Sequence, residues 1–461
     1  MTDLTTFSAT AIAEGVRRGA LAPEDVLDAA LAAITRRNAD LNALTFVAAD
    51  SARMTARGIG ARLTKGEHLP LGGVPMIVKD NIWVEGLPIT QGSRLFAGFR
   101  PPRDAIAVER ARAAGAVIIG IGACPEFAAK GFTNTAQLGI TRHPADPGLT
   151  PGGSSGGNVA GVAAGFAPIS LGTDGGGSSR RPPAHTGLVG FKPSFGAVPH
   201  PFGFAEPFWN ITCLAPIARN VADMALLFGV IAGPDARDPE CRAIAPPNDR
   251  KAGDLRLAVA PMLGLDAPVD ADVLATFGTA IDRLAAAFHF RSAAPDWPCE
   301  MTPQMLMAVQ HAGLAALHGD AYGRTPELFD PDIAAQIARG LTLPGREVAA
   351  ALETSLLIRR AVASFFGEYD ILISLTTPCT AWPHERTAPA TIGGVPVEPR
   401  GHAVLTPMFN HAQTPAISIP CGYDAKGLPV GMQIIGPVGA DWQVLAVAAA
   451  FEKLLAPLVR G

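Results

Sequence analysis

The sequence predicts an α/β fold in which helices are layered on a β-sheet and a helical segment is inserted as a cap. An amphipathic helical pattern followed by a short apolar strand recurs along the chain, as at residues 104–114 and 116–120. Residues 301–366 are helical in pattern almost throughout, with no strand and no chemistry-bearing motif. We therefore expect one discontinuous core over residues 66–461 that carries a cap at 300–366, rather than two independent domains.

Composition sets the broad class of the protein. The chain has 461 residues, of which 48% are hydrophobic and 17% are charged, so it can bury a large core and disorder is not expected. The formal net charge is −4 and basic runs are absent from the sequence, which argues against a nucleic-acid partner.

Cysteine spacing and hydropathy predict the compartment. The six cysteines are scattered without a C-x-x-C pair, which is typical of reduced thiols and not of a disulfide framework or a zinc site. The N-terminal residues lack a signal-peptide layout, and acids or arginines interrupt the apolar runs before they reach the length of a membrane span. We expect a cytoplasmic protein that does not cross a membrane.

The first 65 residues predict two or three helices that pack on the core and are a candidate contact between protomers in a homodimer. Residues 5–18 and 23–36 carry apolar side chains at intervals of three to four positions. Pro23 followed by two acids resembles the first turn of a helix.

A lysine follows the first strongly apolar strand pattern. Residues 74–78 run into Lys79, Asp80 and Asn81, as a buried strand that ends at an active edge would. A buried lysine without a carboxylate partner loses solvation, so its pKa falls and its neutral amine can accept a proton from a serine. The alternative, a surface lysine paired with Asp80 or Glu85, stays open on the sequence alone.

Residues 152–157 and 174–179 form two clusters in which serines are adjacent to glycines. Glycines allow unusual backbone angles and let a carbonyl approach bare main-chain N–H groups, which is how an oxyanion is held. A helix over 158–167 and a strand over 167–171 separate the clusters, so each is expected at a strand–helix junction with a helix N-terminus aimed at the site. A flexible linker is the alternative, but both clusters lie within apolar sequence.

Other elements follow from periodicity and from capping residues. Asn220 caps a helix that Gly233 ends. The remaining predictions are strands over 255–261, 369–374, 416–420 and 430–435, and helices over 271–288 and 442–455.

A serine nucleophile needs a base, and histidine is the usual one. Residues 153–157 satisfy G-x-S-x-G, which would make Ser155 the nucleophile of an α/β-hydrolase elbow. That hypothesis leaves the second cluster without a role and requires a downstream acid and histidine that the sequence does not single out. His185 is the histidine nearest the clusters, and a packed or surface position is favoured for it.

Lys79, Ser154 and Ser178, in this order, resemble the amidase signature family of serine hydrolases. The resemblance extends over much of the chain, and agreement of many segments in order and spacing is more specific than any one motif. The matching segments are GGVPMIVKDNI, PGGSSGGNVAGVAAG, LGTDGGGSSRRP, GLVGFKPSFG, ARNVAD, YDILISLTTP, TPAISIPCG and LPVGMQIIG.

The resemblance implies a three-layer α/β/α fold with a large mixed central sheet, and a Ser-cisSer-Lys triad. Ser178 would be the nucleophile. Ser154, after a cis peptide bond from Gly153, would bridge Ser178 to Lys79, the general base, and later pass a proton to the departing amine.

The same resemblance implies how the triad is supported. The main-chain N–H groups of the second cluster would form the oxyanion hole, and water would then hydrolyse the acyl-enzyme without a metal or cofactor. The oxyanion donors would be Gly175, Gly176, Gly177 and Ser178, and the supporting residues Ser155, Thr173, Asp174 and Arg180.

The chain departs from the family in the second cluster and just after it. Ser179 and Arg181 occupy positions where the family more often has isoleucine, and His185 and Thr186 replace a common Phe-Cys pair. Ser178 and Arg180 are retained, so the departures concern the pocket near His185 rather than the implied mechanism.

The resemblance implies an amidase that converts a linear amide to a carboxylate and ammonia or an amine. The aromatic stretch 201–209 could line a pocket for a small aromatic or aliphatic amide, or it could simply pack the core or a contact between protomers. One alternative is the glutaminase subunit of a glutamine-dependent aminoacyl-tRNA amidotransferase, which would work in a larger complex. A second alternative is a non-catalytic relative, against which the presence of all three triad residues argues.

Overall fold

A mixed sheet of eleven strands forms the middle layer of the computed structural model, which describes residues 3–247, 250–302 and 306–459. The strand order is β1-β3-β2-β6-β8-β7-β14-β15-β11-β9-β10, and the other four strands form two small hairpin sheets. The strands are β1 Leu44–Val47, β2 Pro75–Lys79, β3 Val117–Gly122, β4 Asn134–Thr135, β5 Gly139–Ile140, β6 Ile169–Asp174, β7 Val189–Lys192, β8 Cys213–Ala218, β9 Leu257–Val259, β10 Phe290–Ser292, β11 Ile371–Leu375, β12 Thr391–Ile392, β13 Val395–Pro396, β14 Ala416–Tyr423 and β15 Pro429–Ile435.

Helices cover both faces of this sheet, which gives the predicted layered α/β fold. Two large clusters of buried apolar side chains fill the space between helices and strands, and alternate residues of β2 belong to different clusters, with Met76 and Val78 in one and Ile77 in the other. The helices are α1 Ala9–Arg17, α2 Pro23–Leu41, α3 Ala49–Thr64, α4 Ile106–Ala113, α5 Gly156–Ala163, α6 Arg181–Thr186, α7 Val221–Ile231, α8 Ala271–Ala285, α9 Met307–Arg324, α10 Pro331–Leu341, α11 Gly345–Glu368, α12 Pro407–His411 and α13 Asp441–Val459.

Parallel pairing in the first half of the sheet creates the edge that matters for function. β2 pairs in parallel with β3 on one side and with β6 on the other, with Val78 opposite Leu171. The carboxyl ends of parallel strands meet at one edge of a sheet, so the residues that end β2 and β6 come together there. The later strands β7, β8, β14 and β15 pair antiparallel, which makes the sheet mixed.

The N-terminal segment contains a strand that the sequence analysis did not predict. Besides α1, α2 and α3, it contributes β1, which pairs antiparallel with β3 at the edge of the main sheet. Asp223 in α7 fixes the start of α1, because its carboxylate accepts hydrogen bonds from Ala9 N at 2.8 Å and Thr10 N at 2.9 Å.

The segment that the sequence predicts as a helical cap contains α9, α10 and α11, and residues 303–305 of it lie outside the described residues. The first two helices pack on the loop after β3 through a small apolar cluster. That cluster is formed by Phe127, Ala129, Leu314, Phe329, Ile333 and Ile337.

One helix in the described part of the chain, α13, is long and apolar enough by composition to cross a membrane. It lies against β14 and α8, with Val444, Ala448 and Phe451 buried at the sheet. A core helix of this kind passes the same test of length and composition.

Candidate active site

Three polar side chains converge where β2 and β6 end. Lys79 is the last residue of β2, and Thr173 and Asp174 are the last two residues of β6. All three are almost completely buried. The Lys79 amine donates a hydrogen bond to Thr173 Oγ1 at 2.9 Å, and Asn81 donates to the same oxygen at 3.0 Å. Sheet topology therefore joins two segments that are nearly a hundred residues apart.

The helix α5 brings the first serine cluster to the same place. It packs very closely on the sheet, since a Cβ on Gly157 would lie 2.1 Å from Ala123 N and 2.3 Å from Ala43 O. The residues before α5 are irregular, so the expectation of a strand–helix junction at this cluster was wrong. The Gly153–Ser154 peptide bond is cis.

A chain of hydrogen bonds links the three residues of the expected triad. Lys79 Nζ donates to Ser154 Oγ at 2.7 Å, and Ser154 Oγ is 2.9 Å from Ser178 Oγ. Ser178 follows β6 in the loop before α6, so the second cluster does lie at a strand–helix junction. The structure thus brings together side chains from three separate segments in the order lysine, serine, serine.

Burial governs the charge of the lysine. It lowers the pKa of Lys79 to about 8, against an opposing effect of the nearby Cys124, Glu206 and Asp174. Asp80 is not its partner, because the Asp80 carboxylate accepts hydrogen bonds from Thr90 N and Thr90 Oγ1 at 2.7 and 2.5 Å. The surface ion pair considered from the sequence is therefore not formed.

A buried carboxylate organises the second serine cluster. Burial raises the pKa of Asp174, but the Arg180 guanidinium and the hydrogen bonds to the carboxylate hold it well below its usual range. The donors are Gly177 N at 2.6 Å, Ser179 N and Oγ at 3.1 and 2.9 Å, Arg180 Nε and Nη2 at 3.0 and 2.9 Å, and Asn410 Nδ2 at 2.9 Å.

Arg180 is fully buried and its guanidinium is fully bonded. In addition to the two bonds to Asp174, it donates to Thr406 O at 3.0 Å, Gln433 Oε1 at 2.8 Å and Asn410 Oδ1 at 2.5 Å. The last three partners come from segments more than two hundred residues away, and the sequence analysis did not identify them. A carboxamide or a main-chain carbonyl carries no local sequence signal of such a contact, so only information on contacts between distant residues could have identified these partners.

The glycines between Asp174 and Ser178 differ in their freedom to bind a ligand. Gly175 and Gly176 line the cleft above Ser178. The N–H of Gly177 is directed instead at Asp174, and its φ of +118° is a conformation that L residues rarely adopt. Among the described residues, no hydrogen-bond acceptor is found for the N–H groups of Gly175, Gly176 and Ser178.

A cleft opens at Ser178 and has chemically distinct walls. Next to the serines it is polar, with Asn81, Ser154, Thr173, Gly175, Gly176, Ser178 and Thr212. An apolar wall is formed by Phe127, Ala128, Ala129, Phe208, Leu306, Met307, Val309, Ala403 and Pro407. The remaining lining residues are polar or charged: Lys130, Arg181, Glu206, Gln310, Arg400 and His411.

Ser155 and His185 lie outside this cleft. Ser155 Oγ is buried without a hydrogen-bond partner among the described residues and lies against Gly172 of β6. His185 is buried in α6 with its ring edge-to-face with Trp382 at 5.5 Å, and burial lowers its pKa to about 3. His185 is therefore a packed histidine, and the geometry does not support an elbow at Ser155.

The aromatic stretch 201–209 divides between the cleft and the core. Phe208 lines the cleft beside Gly175. Phe204 instead packs among other aromatic rings, 4.8 Å from Phe96 and 5.4 Å from Phe99 between centroids. Phe208 therefore lies in the cleft and Phe204 in a packed aromatic cluster, and a role in binding an apolar amide stays a prediction.

Comparison with known proteins identifies the family of the chain. The family model described as Amidase matches residues 25–445. Among curated proteins, the A subunit of the glutamyl-tRNA(Gln) amidotransferase from Symbiobacterium thermophilum is 36% identical over 468 residues, covering 95% of this chain and 94% of the relative. The protein of the same name from Chloroflexus aurantiacus is 34% identical over 491 residues, covering 98% of both.

Solved structures confirm the fold. A bacterial aryl acylamidase of the amidase signature family matches with a TM-score of 0.89 and 27% identity, covering 98% of this chain and 97% of that one. A 6-aminohexanoate cyclic dimer hydrolase matches with a TM-score of 0.86 and 27% identity, covering 100% and 99%. The large mixed central sheet is thus common to these enzymes and to this chain.

The Asp174–Arg180 pair is predicted to be a main source of stability. Asp174→Asn leaves the Arg180 charge buried without its counter-charge, and we expect the free energy of unfolding to fall by ~3–5 kcal/mol. Asp370→Asn is the matched control, because Asp370 pairs with Arg250 and Arg256, whose side chains are about half exposed. Its loss is expected to be ~0–1 kcal/mol. Denaturant unfolding followed by circular dichroism measures both, and equal losses would contradict this account.

Proposed function

This chain belongs to the amidase signature family, and we propose that it hydrolyses a carboxylic acid amide through an acyl-enzyme formed on Ser178. The observation that carries the proposal is the hydrogen-bonded chain from Lys79 through Ser154 to Ser178, which ends at a cleft. A buried base, a proton relay and an accessible nucleophile are what acyl transfer to a serine requires.

Proton transfer follows the hydrogen-bonded chain. When Lys79 is neutral, its lone pair can accept the Ser154 proton, and Ser154 can accept the proton of Ser178. Ser178 Oγ then attacks the amide carbonyl. The intervening hydroxyl is needed because the amine contacts Ser154 and Thr173, and Ser154 lies between it and the nucleophile.

The glycine loop stabilises the charge that develops on the carbonyl oxygen. The N–H groups of Gly175, Gly176 and Ser178 are the proposed donors, and each donor of this kind typically lowers the barrier by ~3–4 kcal/mol. Thr406 Oγ1 donates to Gly176 O at 2.8 Å and so holds the loop in place. Asp174 anchors its other end through Gly177 N.

The departing amine takes the proton that Lys79 accepted. Ser154 is the proposed donor to the leaving nitrogen, since its Oγ lies between the lysine and the nucleophile. Water then attacks the acyl-enzyme with the same residues acting as base, which releases the carboxylate and restores Ser178.

A second candidate function uses the same chemistry on glutamine. The relatives named as glutamyl-tRNA(Gln) amidotransferase match almost the whole chain at 34–36% identity, which favours a glutaminase subunit of such a complex. The two candidate functions differ in substrate and in protein partners. Formation of a homodimer also stays a prediction.

Affinity purification from native extract, followed by ammonia-release assays, separates these two candidates. A free-standing amidase is expected to turn over small amides as an isolated chain and to purify without stoichiometric partners. Stoichiometric partners, together with ammonia release that is specific for glutamine and stimulated by them, would instead establish the amidotransferase function.

The choice of nucleophile is tested with two serine variants. Ser178→Ala is expected to lower kcat for an anilide and for an ester by ~10³-fold or more, because no other group can form the acyl-enzyme. Ser155→Ala is the matched control and is expected to lose less than ~10-fold, since its Oγ is buried away from the cleft. Burst-phase kinetics with chromogenic substrates measure both. An inactive Ser155→Ala beside an active Ser178→Ala would establish the elbow instead.

The pH profile tests the base. Because Lys79 must be neutral and its pKa is lowered to about 8, kcat/KM for an uncharged amide is expected to rise as the pH increases and to level off above about pH 8. The rise should be about tenfold per pH unit on the acidic side. Lys79→Ala is expected to abolish this limb along with most of the activity. A limb that titrates near pH 6.5 in the wild type would point to a histidine base.

A further inference from the structure

Two adjacent buried arginines, Arg180 and Arg181, have opposite surroundings. Arg180 makes five hydrogen bonds and pairs with Asp174. Arg181 is 4% exposed, yet no hydrogen bond or ion pair of its side chain is found within residues 3–247, 250–302 and 306–459. Its Nε is buried without a partner. Burying a cation without a counter-charge or hydrogen bonds costs free energy, so a ligand that supplies them is expected at Arg181.

The Arg181 side chain lies in the wall of the cleft that contains Ser178. Arg400 lines the same cleft, and its Nη2 donates only to neutral acceptors, Ala129 O at 3.0 Å and Gln310 Oε1 at 3.3 Å. The guanidinium groups of Arg181 and Arg400 thus line the same cleft, and neither is bonded to a carboxylate in the described structure.

The carboxylates nearby are already engaged. Asp174 is bonded to Arg180, and Lys130, a further cation of this wall, is paired with Asp330 and Asp332 at 2.8 and 2.9 Å. Glu206 is the one carboxylate that lines the cleft in the described part of the chain; its Oε1 lies 3.9 Å from His200 Nε2, and its charge raises the pKa of Lys79. Neither Arg181 nor Arg400 is therefore bonded to a carboxylate among the described residues.

We propose that Arg181, assisted by Arg400, binds a carboxylate that the substrate carries in addition to its scissile amide. A guanidinium presents paired N–H donors that match the two oxygens of a carboxylate, which makes this anion the best fit. The inference rests on the proposed function, since it names the class of amide that the same cleft accepts. Both free dicarboxylic half-amides and glutamine belong to that class.

The position of Arg181 limits the separation between amide and carboxylate. Its backbone N donates to Gly177 O at 2.8 Å, and a Cβ on Gly177 would lie 2.7 Å from Arg181 Nε. The guanidinium therefore lies directly on the residue that precedes the nucleophile. A carboxylate held there is only a few bonds from the carbonyl that Ser178 attacks, so a short aliphatic spacer is expected.

Matched substrate pairs test the charge preference. Malonamate, succinamate and glutaramate are compared with malonamide, succinamide and glutaramide, in which a neutral amide replaces the carboxylate at nearly constant shape, and glutamine is included. The wild type is expected to favour the charged member of at least one pair by ~100-fold in kcat/KM. Arg181→Met should lose this preference, because its kcat/KM falls much further for the charged member than for the neutral member, with Arg181→Lys intermediate.

Arg17→Met is the control for a non-specific change of charge, because Arg17 is an exposed residue of α1 paired with Glu14. It should leave the preference for the charged member unaltered. A thermal shift provides a readout without turnover. Malonate, succinate or glutarate should raise the Tm of wild type and of Ser178→Ala, but not that of Arg181→Met. Without ligand, Arg181→Met should melt at the same temperature as wild type or higher, since it removes an unpaired buried charge.

The outcomes separate this inference from the proposed function. If amides are hydrolysed but the charged and neutral members react alike in wild type and in Arg181→Met, the carboxylate site is disproved and the amidase proposal stands. If no amide is hydrolysed but dicarboxylates stabilise wild type through Arg181, the site stands and the proposed reaction is wrong. Should Arg181→Met not fold, the preference of the wild type and its reduction in Arg181→Lys decide the question.

Discussion

The ion pair between Asp174 and Arg180 is the constraint on which the site depends. It is completely buried, and it can exist there only because every oxygen and every guanidinium nitrogen has a partner. Those partners tie the end of β6 and the glycine loop to Asn410 and Gln433 in the C-terminal part of the chain. The geometry of the loop that carries Ser178, the proposed nucleophile, is therefore a consequence of satisfying one buried charge pair.

Because that pair is neutral as a unit, it leaves Lys79 without a strong counter-charge. The effect of burial then dominates and lowers the pKa of Lys79 to about 8. A fraction of the lysine is therefore neutral near physiological pH. A carboxylate bonded directly to Lys79 would reverse this by favouring the ammonium form. The hydroxyls of Ser154 and Thr173 solvate the amine without fixing its charge, as the proposed role of Lys79 as a proton acceptor requires.

The sequence predicted the parts of this arrangement that local pattern controls. The apolar runs of β2 and β6 and the lysine after the first of them were visible, and so was the strand–helix junction at the second cluster. The short strands β7 and β8 were missed, because four to six residues with glycine or proline give little periodicity. The strand expected before α5 is absent in the described structure, since α5 is positioned by close glycine contacts with the sheet. The partners of Arg180 could not be predicted, because they depend on contacts between distant segments.

Arg180 and Arg181 show why a sequence motif alone cannot separate support from recognition. They are the same residue type, adjacent, and both buried in one loop–helix junction. Within the described residues, only the side chain of Arg180 is hydrogen-bonded to protein groups, so its conformation is determined by folding and its removal would act through stability. The Arg181 side chain lies in the cleft wall, and its Nε is buried without a partner among the described residues, which costs free energy in the folded state. In the described structure, all five guanidinium N–H groups of Arg180 are hydrogen-bonded and those of Arg181 are not, and such a local inconsistency is characteristic of a functional site. The identity of the substrate is therefore best sought in the charges that the fold leaves unpaired.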